Sequence, residues 1–333
     1  MLKPLVAIVT ATLMAAPVAA EVNIYSSREP QLINPILDAF TAETGIKTNI
    51  VFIKDGLIER LKAEGRRSPA DLVLTTDISN LNAIVEAGVT QPVMSEVISA
   101  NIPETFRDPE GNWFGLTSRA RVIYASKDRV AEGEVTTYED LVDPKWEGRI
   151  CTRSGSHNYN IGLLSAVVAH HGEEAAETWL AGIKANLARK PQGNDRAQVK
   201  AIWAGECDIA IGNTYYMGEM LKDEEQLAWA NSVTIEFPIL GDSGVHVNLS
   251  GMAMTKSAPN TEDALALMEY LTSEAAQTMY AEINFEYPLL ETAAPSELVQ
   301  SWGEFVPDSM PLVDIAKMRG TALKIVDRVN FNE

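Results

Sequence analysis

The chain contains few of the residues that usually bind transition metals or act as nucleophiles. Among its 333 residues there are two cysteines and four histidines. The sequence has no CxxC pair, no HExxH, no GxSxG and no GxxxxGKS or GxxxxGKT pattern. These absences remove the common signals of zinc sites, zinc proteases, serine hydrolases and nucleotide-binding loops.

Basic residues are also scarce. Lys and Arg number 27 against 46 Asp and Glu, which gives a formal net charge of −19. Phosphate backbones and anionic lipids repel such a chain, which argues against a nucleic-acid partner. A cationic ligand is compatible with this charge, although a solvated acidic surface explains it equally well. With 46% apolar residues and no low-complexity tract, the composition is that of a folded globular protein.

Apolar runs are short, and the most prominent one stands at the start of the chain. Lys3 is followed by an apolar stretch over 5–14 and by small residues up to Ala20. This layout is typical of a secretory signal peptide, residues 1–20, with cleavage expected between Ala20 and Glu21. The stretch is too short to span a bilayer comfortably, which argues against a membrane anchor. The sequence therefore predicts export.

Export bears on the two cysteines, Cys151 and Cys207. In an oxidising compartment an even pair predicts a disulfide. Two buried free thiols are the alternative, because sequence spacing does not give the distance between their Cα atoms.

Short apolar strands alternate with helices along the first part of the chain. Strands are predicted at 22–25, 46–53 and 71–74, and helices at about 30–44 and 57–63. Gly45 and Gly88 are expected to end helices, and Ser79 or Asn80 to cap the helix before Gly88. This alternation predicts an α/β fold with a largely parallel sheet whose two faces are covered by helices.

The rest of the chain predicts a second unit and a return to the first. An extended segment at 115–124 leads into a second α/β series over 149–228, and later elements at 250–254 and 262–271 complete the first unit. The prediction is a two-lobe fold with two hinge strands, in which 21–117 and 239–333 form the N-terminal lobe and 118–238 the C-terminal lobe. Closure of such lobes over a ligand is the function that this arrangement serves best.

Three tyrosines lie in polar loops ahead of predicted helices. Tyr159 precedes the apolar helix 161–170, with Ser156 or Asn158 as the expected N-cap. Tyr215 and Tyr216 follow a strand at 208–211, with Thr214 as the expected N-cap. Helix starts at the carboxyl ends of strands are where open α/β sheets bind ligands.

Tyrosine is a poor metal ligand until it loses its proton, since its pKa is about 10. A bound cation deprotonates its ligands, and hard Fe³⁺ prefers anionic oxygen donors such as phenolate. Paired tyrosines packed in a core and bonded through one hydroxyl are the alternative. Spacing alone does not decide between them.

At these residues the chain resembles the periplasmic ferric-ion-binding proteins of the transferrin-like solute-binding family, close to the FbpA and FutA types. The similar segments cover essentially the whole chain after the signal peptide and include 25–28, 115–123, 153–155, 159–160, 188–193, 212–216 and 286–288. The resemblance implies a type II periplasmic binding protein fold. It also implies that Tyr159, Tyr215 and Tyr216 coordinate Fe³⁺ as phenolates.

One departure from many relatives concerns the loop after the first strand, where they carry a histidine or a His-Tyr pair. Here that loop, residues 27–30, has neither. Glu29 is a possible extra ligand, although a glutamate ahead of Pro30 is also an ordinary helix-start residue. The sequence is more similar to the three-tyrosine subgroup, in which carbonate or a similar synergistic anion completes the iron shell.

The resemblance implies that arginines hold this anion, because guanidinium groups match planar oxyanions. Arg28, Arg119 and Arg121 are the candidates, with Arg119 first and Arg121 as its support; ordinary salt bridges are the alternative. Each cysteine stands eight residues before a tyrosine of the site, so a bridge between them would hold the two tyrosine loops at a fixed separation.

The expected function is that of a non-enzymatic, monomeric periplasmic carrier. It would bind Fe³⁺ with the tyrosines on one lobe and the anion on the other, and deliver it to an inner-membrane ABC permease with its ATPase. One alternative is a two-lobe binding protein for an organic or oxyanion ligand such as a polyamine. An exported enzyme is a second alternative, but the sequence offers no nucleophile and base pair for it.

Overall fold

The computed structural model describes residues 21–333, so the predicted signal peptide lies outside the described part. The strands are β1 Glu21–Ser26, β2 Lys47–Phe52, β3 Leu72–Thr75, β4 Phe114–Ser126, β5 Ile150–Cys151, β6 Ile209–Asn213, β7 Val233–Glu236, β8 Val247–Met254 and β9 Tyr287–Pro288. The helices of the first half are α1 Asn34–Thr44, α2 Leu57–Glu64, α3 Ile78–Glu86, α4 Glu96–Asn101, α5 Asn158–His171 and α6 Glu173–Ala185. The remaining helices are α7 Asp195–Trp203, α8 Tyr215–Lys222, α9 Leu227–Asn231, α10 Thr261–Leu271, α11 Glu274–Asn284, α12 Glu297–Gln300, α13 Leu312–Lys317 and α14 Arg319–Arg328. Short 3-10 turns occupy Pro30–Leu32, Gly65–Arg67, Glu104–Phe106, Glu139–Val142 and Pro144–Trp146.

Helices cover both faces of the first sheet, as the sequence predicts. In this sheet β1 lies between β2 and β3, and both pairs are parallel. Because neighbouring side chains of a strand point to opposite faces, Ile24 packs in one apolar cluster with Phe40 of α1, whereas Tyr25 packs in the other with Leu61 of α2. The α/β class is therefore confirmed.

Two cap predictions in this region have different outcomes. Gly45 ends α1 in the left-handed conformation, with φ 75°, as predicted. The cap of α3 is Asp77, whose carboxylate accepts the backbone N–H groups of Ser79 and Asn80, so the expectation of a cap at either of those two residues is wrong. The carboxylate reaches two free N–H groups at once, which favours the earlier start.

The segment predicted to lead into the second lobe, 115–124, lies in β4, and the two crossing strands β4 and β8 run antiparallel to each other. All thirteen residues of β4 are buried; its first half pairs with β8, and its second half pairs with β6 and β7. The sheet order is β2-β1-β3-β8-β4-β6-β5, with parallel pairs at its two outer parts and antiparallel pairs at its centre. The sheet is thus mixed rather than largely parallel, because a chain that crosses between lobes and returns must reverse direction.

The last two helices pack against the second α/β series. Helix α14 contacts α5 and α6, whereas α13 contacts α5 and also α3 of the first unit, and the apolar residues of these helices belong to one cluster. The lobe boundaries stay a prediction. In the division that we propose, this packing places α14 with the second lobe and α13 between the two lobes.

The two cysteines form a disulfide, as the sequence predicts. Cys151 ends β5, and Cys207 stands two residues before β6; their Cα atoms are 5.9 Å apart. The bond therefore joins the two neighbouring strands that lead to the tyrosine loops. Within residues 21–333, no helix is long and apolar enough to cross a membrane.

A buried histidine beside the crossing strands predicts acid sensitivity. Burial lowers the pKa of His246 to about 4; Asp308 opposes this effect, whereas Arg121 and Arg119 add to it. Above pH 6.5 the ring is neutral in both the folded and the unfolded state, and its full contribution to stability is present. As the pH falls from about 6.5 towards 4, the unfolded chain takes up a proton that the folded protein does not, and stability is lost.

We expect His246→Gln to remove about 2 kcal/mol of the decrease in unfolding free energy between pH 7 and pH 5, at about 1.4 kcal/mol per pKa unit. Urea unfolding of the metal-free protein at the two pH values measures this difference. His171→Gln is the control, since the His171 side chain is 35% exposed and pairs with Glu139 at the surface. If the unfolding free energy falls by the same amount between pH 7 and pH 5 in wild type and His246→Gln, His246 is not the source of the acid sensitivity.

Candidate metal centre

Two helix starts bring the three tyrosines together. Tyr159 is the second residue of α5, whereas Tyr215 and Tyr216 are the first two residues of α8, which follows β6 after one residue. Strands β5 and β6 are parallel neighbours, with Ile150 opposite Ile209. Because parallel strands end at the same edge, the segments that follow them also meet there. The predicted placement at the carboxyl ends of strands is confirmed.

The side chains of Tyr159 and Tyr215 converge through their hydroxyl groups. The two hydroxyl oxygens are 3.1 Å apart, a hydrogen-bond distance. The ring centroids of Tyr215 and Tyr216 are 4.2 Å apart, with 37° between the ring planes. All three residues are partly exposed.

In the protein without a cation, the hydroxyl groups of Tyr215 and Tyr216 hold their protons, because the pKa of each is raised. Burial raises the pKa of Tyr215 well above its ordinary value, and the nearby Tyr159 and Tyr216 add to this effect while Arg119 opposes it. Burial also raises the pKa of Tyr216, followed by the charges of Tyr159 and Asp195. A ligand that needs these oxygens as anions must therefore displace protons from them.

A histidine, and not the predicted Ser156 or Asn158, caps α5. The Nδ1 atom of His157 accepts a hydrogen bond from the backbone N–H of Tyr159 at 3.2 Å. Burial, followed by the positive charge of Arg153, lowers the pKa of His157 to about 4, which keeps the ring neutral and able to accept. The sequence did not predict this cap because histidine is an uncommon capping residue.

The cap of α8 also differs from the expected form. Thr214 does occupy the N-cap position, but its side chain makes no capping hydrogen bond within residues 21–333. Its backbone N–H instead donates to the carbonyl of Ala120 on β4. The start of α8 is therefore held by the crossing strand.

Three arginines surround the ring of Tyr159. Their guanidinium carbons lie 5.2 Å (Arg153), 5.7 Å (Arg119) and 5.8 Å (Arg121) from the ring centroid. Arg119 and Arg121 are buried neighbours on one face of β4, because residues two apart on a strand point to the same side. Arg153 was not predicted as a site residue, although it lies in a segment that resembles the family.

Both terminal nitrogens of Arg121 donate hydrogen bonds to protein side chains. One of them donates to Asp195 at 2.7 Å and to the side-chain oxygen of Asn213 at 2.9 Å, and the other donates to Asn160 at 2.6 Å. This arrangement fits the predicted supporting role. Asp195 was not predicted at all, because its partners are distant in the sequence.

Arg119 and Arg28 meet on the side of the first sheet. Arg119 donates to the hydroxyl of Ser250 at 3.1 Å and to the carbonyl of Thr76. Arg28 donates to the same hydroxyl and forms an ion pair with Glu286 at 2.9 Å. Both side chains are buried, and the Nε atom of Arg119 has no hydrogen-bond partner among residues 21–333. Their predicted role as anion ligands stays a prediction.

Glu29 stands at the start of the turn Pro30–Leu32, where its exposed carboxylate accepts a hydrogen bond from Gln31 at 2.6 Å. This contact supports the helix-start interpretation, and its role as an extra ligand stays a prediction. In the described part of the chain no group of three or more His, Cys, Asp or Glu residues could hold a metal ion. A metal at this site would therefore depend on the tyrosine oxygens.

Comparisons with known proteins agree with this fold. The family model for bacterial extracellular solute-binding proteins matches residues 67–304. Iron uptake protein A1 of Synechocystis is 45% identical over 314 residues, which cover 93% of this chain and 87% of that protein. Apo ferric ion-binding protein A of Pasteurella haemolytica has a TM-score of 0.91 at 51% identity, covering 95% of this chain and 99% of that one.

A further solved structure, a Trichodesmium IdiA (FutA) protein in complex with iron and citrate ligands, has a TM-score of 0.89 at 41% identity. The match covers 94% of this chain and 100% of that one. The fold is thus the periplasmic binding protein fold. The chain belongs to the family of bacterial extracellular solute-binding proteins, and within it to the FbpA/FutA type.

Proposed function

We propose that the chain binds ferric iron through the phenolate oxygens of Tyr159, Tyr215 and Tyr216. The observation that carries this proposal is the convergence of two hydroxyl groups from separate helix starts to 3.1 Å. Neighbouring donors around an octahedral ion with bonds of about 2.0 Å lie about 2.8 Å apart, so one ion could bind both oxygens after a small adjustment. The ring of Tyr216 lies beside that of Tyr215, which supports Tyr216 as the source of the third oxygen.

The charge of the site favours a trivalent ion with anionic ligands. Three phenolates neutralise Fe³⁺, and hard oxygen donors suit this ion better than imidazole or thiolate would. The arginines around Tyr159 would repel a bare cation, but they stabilise the phenolates and any anion that accompanies the metal. The same donor set offers little to softer ions.

Three tyrosines leave an octahedral ion short of donors, and we propose that carbonate or a similar small anion supplies them. Arg119 is the first candidate to hold it, because among residues 21–333 it forms no ion pair, whereas Arg28 pairs with Glu286 and Arg121 with Asp195. Arg28 shares the hydroxyl of Ser250 with Arg119 and is the second candidate, and Arg121 keeps the supporting role. The citrate in the Trichodesmium relative supports an anion as part of such a complex.

In this proposal iron is cargo and is not transformed. Relatives named for iron uptake and ferric-ion binding support a carrier of iron. We propose that this carrier is a periplasmic monomer that delivers iron to an inner-membrane ABC permease and its ATPase. Lobe opening or protonation of the phenolates would release the ion, since each phenolate that binds iron has lost a proton.

The test uses the chain without residues 1–20, purified free of metal and loaded with ferric ion and bicarbonate. We expect one ferric ion per chain and a visible absorption band from phenolate-to-iron charge transfer. Zinc and a polyamine serve as comparison ligands and should give no such band. A protein that stays colourless with iron but binds the polyamine would overturn the proposal in favour of an organic ligand.

A further inference from the structure

We propose that Asp195 is the positioning residue of the tyrosine site, a single buried carboxylate that holds both tyrosine loops in place. This inference rests on the proposed iron-binding function. Asp195 begins α7, far from each tyrosine in the sequence, and its side chain is fully buried. No role in the iron shell itself is assigned to it.

The carboxylate of Asp195 bonds to both tyrosine loops. One oxygen accepts a hydrogen bond from Arg153 at 3.0 Å, and Arg153 belongs to the loop that leads to Tyr159. The other oxygen accepts the backbone N–H of Asn213 at 3.1 Å, two residues before Tyr215. One side chain thus connects the two segments whose hydroxyl groups meet at the site.

Arg121 strengthens this connection from β4. The oxygen of Asp195 that binds Asn213 also accepts from Arg121 at 2.7 Å. Arg121 in turn donates to Asn160, which directly follows Tyr159, and to the side chain of Asn213. Asp195 and Arg121 therefore bind each other, and each also binds both tyrosine loops.

The charge on Asp195 determines where the two guanidinium groups lie. With the carboxylate present, Arg121 and Arg153 are held with their guanidinium carbons 5.8 and 5.2 Å from the ring centroid of Tyr159. Without it, two buried cations would face each other unpaired, which is strongly unfavourable. The two guanidinium groups would move apart, and the tyrosine loops would lose the hydrogen bonds that connect them through Asp195.

The chain offers a matched control at the opposite end of β6. Asp208 also binds two arginines, Arg129 and, at 2.6 Å, Arg149, and its side chain is 15% exposed. It stands just before β6, whereas the tyrosines follow that strand. Asp208→Asn therefore breaks a similar arginine pair without touching either tyrosine loop.

The experiment compares ferric-ion affinity, by chelator competition, and the charge-transfer band in wild type, Asp195→Asn and Asp208→Asn. Near-UV circular dichroism of each metal-free protein establishes that it is folded. We expect Asp195→Asn to weaken iron binding about 10- to 100-fold, the usual effect of losing a group that orients metal ligands, and to shift the band. Asp208→Asn should change neither.

If Asp195→Asn does not fold, Arg153→Gln tests the contact between Arg153 and Asp195 instead, with Arg149→Gln as its control. Only Arg153→Gln should shift the charge-transfer band. A wild type without the band overturns the proposed function, and the positioning role with it. A wild type with the band, together with site and control variants that match it in affinity and band, overturns the positioning role alone.

Discussion

Replacing Tyr216 by phenylalanine is expected to reduce iron affinity by more than about 100-fold, beyond the usual cost of losing a supporting residue. The substitution removes one oxygen donor but keeps the ring, so its packing against Tyr215 is retained. Tyr215→Phe should have the same effect and should also remove the hydrogen bond to Tyr159. Chelator competition and the intensity of the visible band measure both losses.

The matched control for these variants is Tyr270→Phe. Tyr270 lies on α10 and packs against Phe40 with ring centroids 5.4 Å apart, so its substitution removes a hydroxyl group from the first lobe and leaves the site intact. Its iron affinity should equal that of the wild type. If Tyr215→Phe and Tyr216→Phe both keep the wild-type affinity and band, the tyrosines are not the ligands.

Removal of the disulfide should cost about 4 kcal/mol of unfolding free energy. Cys151 and Cys207 are separated by 56 residues, and a cross-link that closes a loop of this length restricts the unfolded chain by about that amount. Guanidinium chloride unfolding of the double variant Cys151→Ala/Cys207→Ala measures the difference from the oxidised wild type. Reduced wild type should resemble the double variant.

The disulfide is also expected to slow iron release, because it joins the two strands that lead to the tyrosine loops. Iron dissociation from the double variant should therefore be faster than from oxidised wild type at equal pH. An unfolding free energy of the double variant within about 1 kcal/mol of the wild-type value would show that the unfolded chain gains little conformational freedom when the disulfide is lost. Equal dissociation rates would limit the bond to a role in stability.

Local features of the sequence predicted most of the elements and the tyrosines themselves. The strand before each tyrosine loop and the helix after it follow from short-range patterns, and the left-handed residue Gly45 follows from its position after an apolar helix. Where two local candidates competed, prediction was poorer. Asp77 rather than Ser79 or Asn80 caps α3, and His157 rather than Ser156 or Asn158 caps α5.

Contacts between distant segments could not be predicted. Asp195 joins Arg121, Arg153 and Asn213 only because the middle of β4 lies beside the end of β6 and the loop after β5. A second example is Gly218 on α8, where an added Cβ atom would collide with the ring of Phe285 from the end of α11. Neither pairing leaves a periodic or compositional signal in the sequence.

By itself, the sequence determined the alternation of strands and helices, the cysteine pair and the three tyrosines at helix starts. These features depend on neighbouring residues and on chemistry that each side chain carries wherever it lies. Only the tertiary structure decided which arginines pair with a carboxylate and which do not, and that Asp195 connects the tyrosine loops. Partner choice among buried charges depends on distances through space, which the order of residues along the chain does not contain.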